Sequence, residues 1–185
     1  MASSYKKIHI IADANSTAQS AKRLIAKKYK NFPINDSDVL VVLGGDGFML
    51  ASLKKYQKYQ LPFYGMNKGN RGFLLNKFDE KDLINKINKS KIAELHPLEM
   101  YARNKNGKVK TAIAVNEVSV FRETRQAAKL EIKIDNKIRM KEVTCDGVLV
   151  ATPAGSTAYN LSVRGPVLDL ESNLLAVTPI SPFKP

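Results

Sequence analysis

The run VLVVLGGDGFML, residues 39–50, constrains the fold more than any other stretch of this chain. Val39 to Leu43 are apolar without alternation. A strand with one wet face alternates in polarity, so a strand apolar at every position must be covered on both faces, as in a parallel sheet flanked by helices. The strand runs straight into Gly44-Gly45-Asp46-Gly47, and the segment 48–59 that follows reads as a helix. Ligands of open α/β sheets bind beyond the carboxyl ends of the strands, and this loop occupies such an end.

The neighbouring segments repeat the alternation. KKIHIIAD (6–13) is a short β-branched run; residues 15–30 read as a helix capped by Asn15 or Ser16, with Leu24, Ile25 and Tyr29 as its apolar stripe. LPFYGMN (61–67) is a third strand, and residues 79–89 are a third helix with Asp79 as candidate cap. From about residue 93 the texture changes: Asn106-Gly107 and Asp135-Asn136 sit between alternating runs as hairpin turns, and GVLVAT (147–152) is one more strand. The expectation is an α/β chain: an N-terminal doubly wound, Rossmann-like parallel sheet over 1–96, followed by an antiparallel β-sandwich domain over 97–185.

Composition excludes some classes. No stretch of 18 apolar residues exists, so no membrane-spanning helix is expected, and the N-terminal apolar run is too short for a signal peptide. Cys145 is the only cysteine, which rules out an internal disulfide and points to the cytoplasm. The net charge of +13 suits polyanionic partners. The lysines are scattered, without a stacking platform or a recognition helix, so nucleic acid is not the expected partner.

Glycines admit a phosphate close to the backbone, and N–H groups at a helix start point at the anion, a task that Gly44, Gly45 and Gly47 fit. The loop is neither a Walker motif nor the dinucleotide fingerprint. Asp46 could take a proton from an attacking hydroxyl or hold a metal ion; it could equally cap the next helix. In ATPAGSTAYNLSVRGP (151–166), Ser156 and Thr157 could cap a helix starting near Ala158 and form a polar cradle. In AVNEVSV (114–120), Asn116 and Glu117 place an amide beside a carboxylate, a pair suited to a ribose diol or a carboxamide. Asp146-Gly147 reads alone as a turn.

Taken together, GGDG (44–47), YGMNKGNRGFL (64–74), VNEVSV (115–120), CDGVLVATPAGSTAYNLS (145–162) and VTPISP (177–182) resemble the NAD kinase family in order and spacing. That resemblance implies transfer of the γ-phosphate of ATP, or phosphate of polyphosphate, to the 2′-hydroxyl of the adenosine ribose of NAD. It implies Asp46 as general base, with the glycines cradling phosphates and a divalent ion, usually magnesium, nearby. Asn116 and Glu117 would bind NAD through ribose hydroxyls, and Asp146 would contact the nicotinamide end. Thr157, Ala158, Tyr159 and Ser162 would line the adenine and ribose pocket, with Ala154 and Asn160 of the same run; Asn67, Phe73 and Thr144 would be further pocket members.

The sequence also departs from the family pattern. Phe48 stands where many members have threonine, Arg164-Gly165 where many have two glycines, and Thr144-Cys145 where Arg and Gly are frequent upstream of Asp146. The chain ends at TPISPFKP, whereas family members continue for several tens of residues and assemble as dimers or tetramers. The expectation is a C-terminally truncated member whose β domain exposes strand edges and apolar faces, and which is poorly soluble, inactive or both. The competing readings are a lipid kinase sharing GGDG, and a remnant that binds nucleotide without turnover.

Overall fold

A computed structural model of the chain describes residues 4–69 and 72–183; Asn70 and Arg71 of the YGMNKGNRGFL segment lie outside the described residues. The chain divides into two compact units, Met1–Ile92 and Ala93–Pro185.

The first unit is built on a parallel sheet of β1 (Ile8–Ala12), β2 (Val39–Gly44), β3 (Phe63–Asn67) and the short β4 (Asn76–Lys77), in that spatial order. All six residues of β2 are buried, as a strand without polar alternation requires. One face of the sheet packs Ile10, Val41 and Leu43 against Ala18, Ala21 and Ile25 of α1 (Ser16–Lys28) and Leu83 and Ile87 of α3 (Leu83–Lys89). The opposite face packs Ile11, Leu40 and Val42 against Met49 of α2 (Asp46–Tyr56). Helices therefore cover both faces, as expected. Because the strands advance in one direction while α1 and α2 lie on opposite faces, the two crossovers have opposite hand, and one departs from the usual right-handed rule.

Local expectations are corrected at three points. Asn15 caps α1, its side chain accepting from the Ala18 N–H at 2.8 Å, but Leu24 is 47% exposed and the buried stripe is Ala18, Ala21 and Ile25. Asp79 does not cap a helix: α3 starts at Leu83, and the Asp79 carboxylate accepts from the Lys81 N–H and pairs with Lys86. Ser156 and Thr157 do not cap the helix after them. Residues Ala154–Thr157 form a 3₁₀ turn that leads into the single-turn α4 (Tyr159–Ser162) without a side-chain cap.

The second unit is antiparallel throughout its described residues. β5 (Leu98–Arg103) and β6 (Val109–Ala114) form one hairpin, and β8 (Ala128–Ile134) and β9 (Lys137–Cys145) another. Asp135 and Asn136 turn the second at φ 51° and 61°, the left-handed pair of a two-residue hairpin loop. β7 (Glu117–Phe121), β10 (Gly147–Ala151) and β11 (Ala176–Ile180) form a sheet ordered β11-β10-β7. Its Leu149, Ala151, Ala176 and Ile180 are buried, while Val120 is 60% and Phe121 58% exposed. No helix among the described residues is long and apolar enough to cross a membrane.

Candidate active site

β2 ends at Gly44, Gly45 precedes α2, and Asp46 is the first residue of that helix. The reading of Asp46 as a helix cap is overturned, because α2 has no side-chain cap. Instead the Asp46 carboxylate reaches the segment before β4: Oδ2 accepts from the Phe73 N–H at 2.8 Å and Oδ1 from the Leu74 N–H at 3.1 Å. Phe73, expected as a pocket member, thus touches Asp46 through its amide while the residue as a whole is 62% exposed.

The loop glycines differ in kind. A Cβ on Gly44 would come within 2.9 Å of the Phe48 ring, so the fold itself excludes a side chain there. A Cβ on Gly45 or Gly47 would meet nothing within 4 Å, and Gly45 has an ordinary φ of −104°. Neither position needs glycine for packing, and the space above both is clear for a group from outside the chain, as a phosphate cradle requires. Phe48, in the place of the family's threonine, is half-buried against the Leu40 and Val42 face and exchanges a hydroxyl for a core contact.

A strap from β3 lies over the loop. The Lys68 N–H donates to the Gly44 carbonyl at 2.8 Å, and the Asn67 Oδ1 accepts from the Gly69 N–H at 2.8 Å. Asn67 therefore holds the strap beside Gly45, whose Cα would lie 3.2 Å from a Cβ on Gly69.

In the second unit, the Asn116 Oδ1 and the Glu117 Oε2 are shielded from solvent and have no hydrogen-bond partner. Burial holds the Glu117 carboxyl above the usual glutamate range. Buried acceptors are nearly always paired, so two adjacent orphans mark a place where a donor from outside belongs. The surrounding backbone explains their placement. Thr152 donates its N–H to the Asn116 carbonyl at 2.9 Å and its hydroxyl to the Val115 carbonyl at 2.6 Å, and accepts from the Gly155 N–H at 3.0 Å. A Cβ on Gly155 would lie 2.0 Å from the Asn116 carbonyl oxygen. Gly155→Ala should therefore destabilise the second unit by about 1–3 kcal/mol, read as a lower denaturant midpoint; an unchanged midpoint would contradict the packing described.

The remaining expected residues divide into two groups. Thr157, Ala158, Tyr159 and Ser162 line the turn and α4 with surface to offer, Tyr159 being 41% exposed, while Ala154 is buried. Asn160 is fully buried, and its side chain is spent on the fold. Its Nδ2 donates to the Pro166 carbonyl at 2.8 Å, and its Oδ1 accepts from the Thr178 hydroxyl at 2.7 Å. Asp146 forms an ion pair with Arg122, Nε to Oδ1 2.6 Å; Arg122 had no signal in the sequence beyond its charge. Thr144 is half-buried, and its carbonyl accepts from the Phe183 N–H at 2.8 Å. Arg164 sits at φ 64°, the left-handed region, which gives a physical reason for the glycine frequent there.

A pocket of about 210 Å³ in this unit is lined by Val115, Thr152, Pro153, Ala154, Leu174 and neighbours. It includes neither orphan acceptor, so the polar reading rests on Asn116 and Glu117 instead. Among the described residues no three His, Cys, Asp or Glu side chains cluster as a ready-made metal cage. A donor set of Asp46 alone fits a hard cation carried on substrate phosphates, as magnesium usually is.

Comparison with known proteins follows the same division. Residues 3–95 match the model of the ATP-NAD kinase N-terminal domain, and residues 115–185 that of the ATP-NAD kinase C-terminal domain. The NAD kinase of Brucella suis is 45% identical over 178 residues, covering 96% of this chain and 69% of that protein. The NAD kinase of Caulobacter vibrioides is 50% identical over 168 residues, covering 91% of this chain and 65% of that protein. Among solved structures, yeast NADH kinase complexed with NADH has a similar fold, with TM-score 0.74 at 22% identity over 98% of this chain and 67% of that one. An NAD kinase from Archaeoglobus fulgidus in complex with ATP gives 0.69 at 22% identity, over 96% of this chain and 73% of that one.

Proposed function

Because the chain belongs to the NAD kinase family, we propose that it phosphorylates the 2′-hydroxyl of the adenosine ribose of NAD, with Asp46 as general base and ATP as donor. It is a phosphotransferase, and NADP is its product. Two observations support the assignment of roles, one in each unit: an aspartate on a clear glycine loop in the first, and two orphaned buried acceptors, Asn116 Oδ1 and Glu117 Oε2, in the second. The acceptors have the chemistry to receive ribose hydroxyls, and the loop has the chemistry to hold phosphate.

In the step itself, the ribose oxygen forms a bond to the γ-phosphorus while the bond from that phosphorus to the ADP oxygen breaks. Asp46 takes the hydroxyl proton. The work is positioning and charge stabilisation rather than covalent catalysis by the protein. The N–H groups at the start of α2 and the open backbone at Gly45 and Gly47 hold the phosphates. Thr157, Ala158, Tyr159 and Ser162 form the wall for adenine and ribose, and Asp146 faces the nicotinamide end. A divalent cation arriving with the nucleotide would neutralise phosphate charge, with Asp46 the loop's one carboxylate to hold it. The lone buried Cys145 supports a cytoplasmic place of action.

Offering γ-labelled ATP with NAD and with diacylglycerol to the same preparation tests this reading. Label should appear in NADP and not in lipid. Label in lipid alone would establish the rival that shares the GGDG loop. NAD binding without any transfer, whether from ATP or polyphosphate, would make the chain a nucleotide-binding remnant.

A further inference from the structure

We infer that Gly72 is a positioning residue for phosphoryl transfer: by lacking a side chain it lets the main chain of Phe73 and Leu74 grip the Asp46 carboxylate and fix its aim. The inference rests on the reading of Asp46 as the base. Two observations carry it. Both carboxylate oxygens are held by backbone donors, Phe73 N–H to Oδ2 at 2.8 Å and Leu74 N–H to Oδ1 at 3.1 Å. A Cβ on Gly72 would stand 2.8 Å from that same Oδ1, with the Asn67 Nδ2 and the Leu75 Cδ1 next at 3.4 Å. The Asp46 carboxylate is therefore the group that a side chain at this position would meet first.

The consequence separates aim from fold. The atom that a methyl group would strike is the end of a flexible side chain rather than backbone, so the conflict is relieved most cheaply by turning the Asp46 carboxylate away. Each oxygen accepting one N–H keeps a second lone pair for a substrate proton. A general base acts only within hydrogen-bond reach of the proton it removes, and displacements well under the length of a bond already cost rate. Alanine at position 72 should thus leave the unit folded and nucleotide binding intact while misdirecting the base.

The experiment compares the full chain with Gly72→Ala, Asp46→Asn and the double variant. Gly72→Ala should lower kcat on the order of 10- to 100-fold, with KM for NAD and ATP within about threefold. The double variant should be no slower than Asp46→Asn alone, because Gly72 acts through that carboxylate. If Asp46→Asn keeps the wild-type rate, the base assignment itself fails. If Asp46→Asn is inactive but Gly72→Ala keeps its kcat, or the two losses multiply, the positioning role is wrong. Should Gly72→Ala not fold, replacing Phe73 by its α-hydroxy acid removes the N–H donor to Oδ2. The same fall in kcat at constant KM supports the inference, and an unchanged kcat overturns it.

Discussion

Replacing Asp46 by Asn should lower the rate of NADP formation by about 10²–10⁴, the usual contribution of a positioned general base. The substitution keeps the size of the side chain and removes its capacity to take a proton. The Phe73 and Leu74 N–H groups that now point at the two carboxylate oxygens would face one oxygen and one amide nitrogen, so one of the two bonds is lost. NAD binding, measured by calorimetry, should stay within a few-fold, since the proposed dinucleotide contacts lie elsewhere. A variant that turns over at the wild-type rate would remove Asp46 from the chemistry.

The second large effect belongs to Glu117, where function and stability pull in opposite directions. Its Oε2 is buried without a partner, and burial raises its carboxyl above the ordinary range. Glu117→Ala should weaken NAD by about 10- to 100-fold, the value of a hydrogen bond to a charged group, and weaken ATP much less. Equal losses for both nucleotides would take Glu117 out of the dinucleotide site. In the unliganded protein the sign reverses. A carboxyl whose folded-state value is raised costs stability above its unfolded value, and that cost is relieved as pH falls through the raised one. Glu117→Gln should therefore unfold at a higher temperature than the parent at neutral pH, and the gap should close toward acid pH. NAD affinity of the parent should fall over the same acid range, as the carboxylate that accepts ribose hydroxyls becomes protonated. An unliganded Glu117→Gln protein no more stable than the parent at pH 7 would mean that the orphaned oxygen has a partner.

The parts of the architecture that composition and periodicity can report were legible in advance. β2 was recognisable because five apolar residues in a row leave no wet face, and the two hairpin turns because Asn-Gly and Asp-Asn tolerate positive φ. The loop was legible as a candidate ligand site, yet the partners of Asp46 were not. Phe73 and Leu74 act through main-chain N–H groups, which every residue but proline carries and which therefore leave no trace in the choice of side chain. Asn160 shows the converse ambiguity. Amides bind ligands and also tie cores together, and only its burial against Thr178 and Pro166 shows where its hydrogen bonds go. Leu24 and Asp79 were misread for a related reason: the helix phase that exposes Leu24 and the four-residue delay before α3 are set by tertiary packing rather than by local propensity.

The Asp46 carboxylate stands on ground of very unequal firmness. Beneath it is β2, buried along its whole length, whose amides should exchange with heavy water only when the entire unit opens. Above it is a surface segment joined to it by two hydrogen bonds, the kind of attachment that opens locally long before the core melts. Gentle warming or dilute urea should therefore silence the protein while its circular dichroism is still that of the native state. The loss should reverse on cooling, because the platform that carries the carboxylate never came apart.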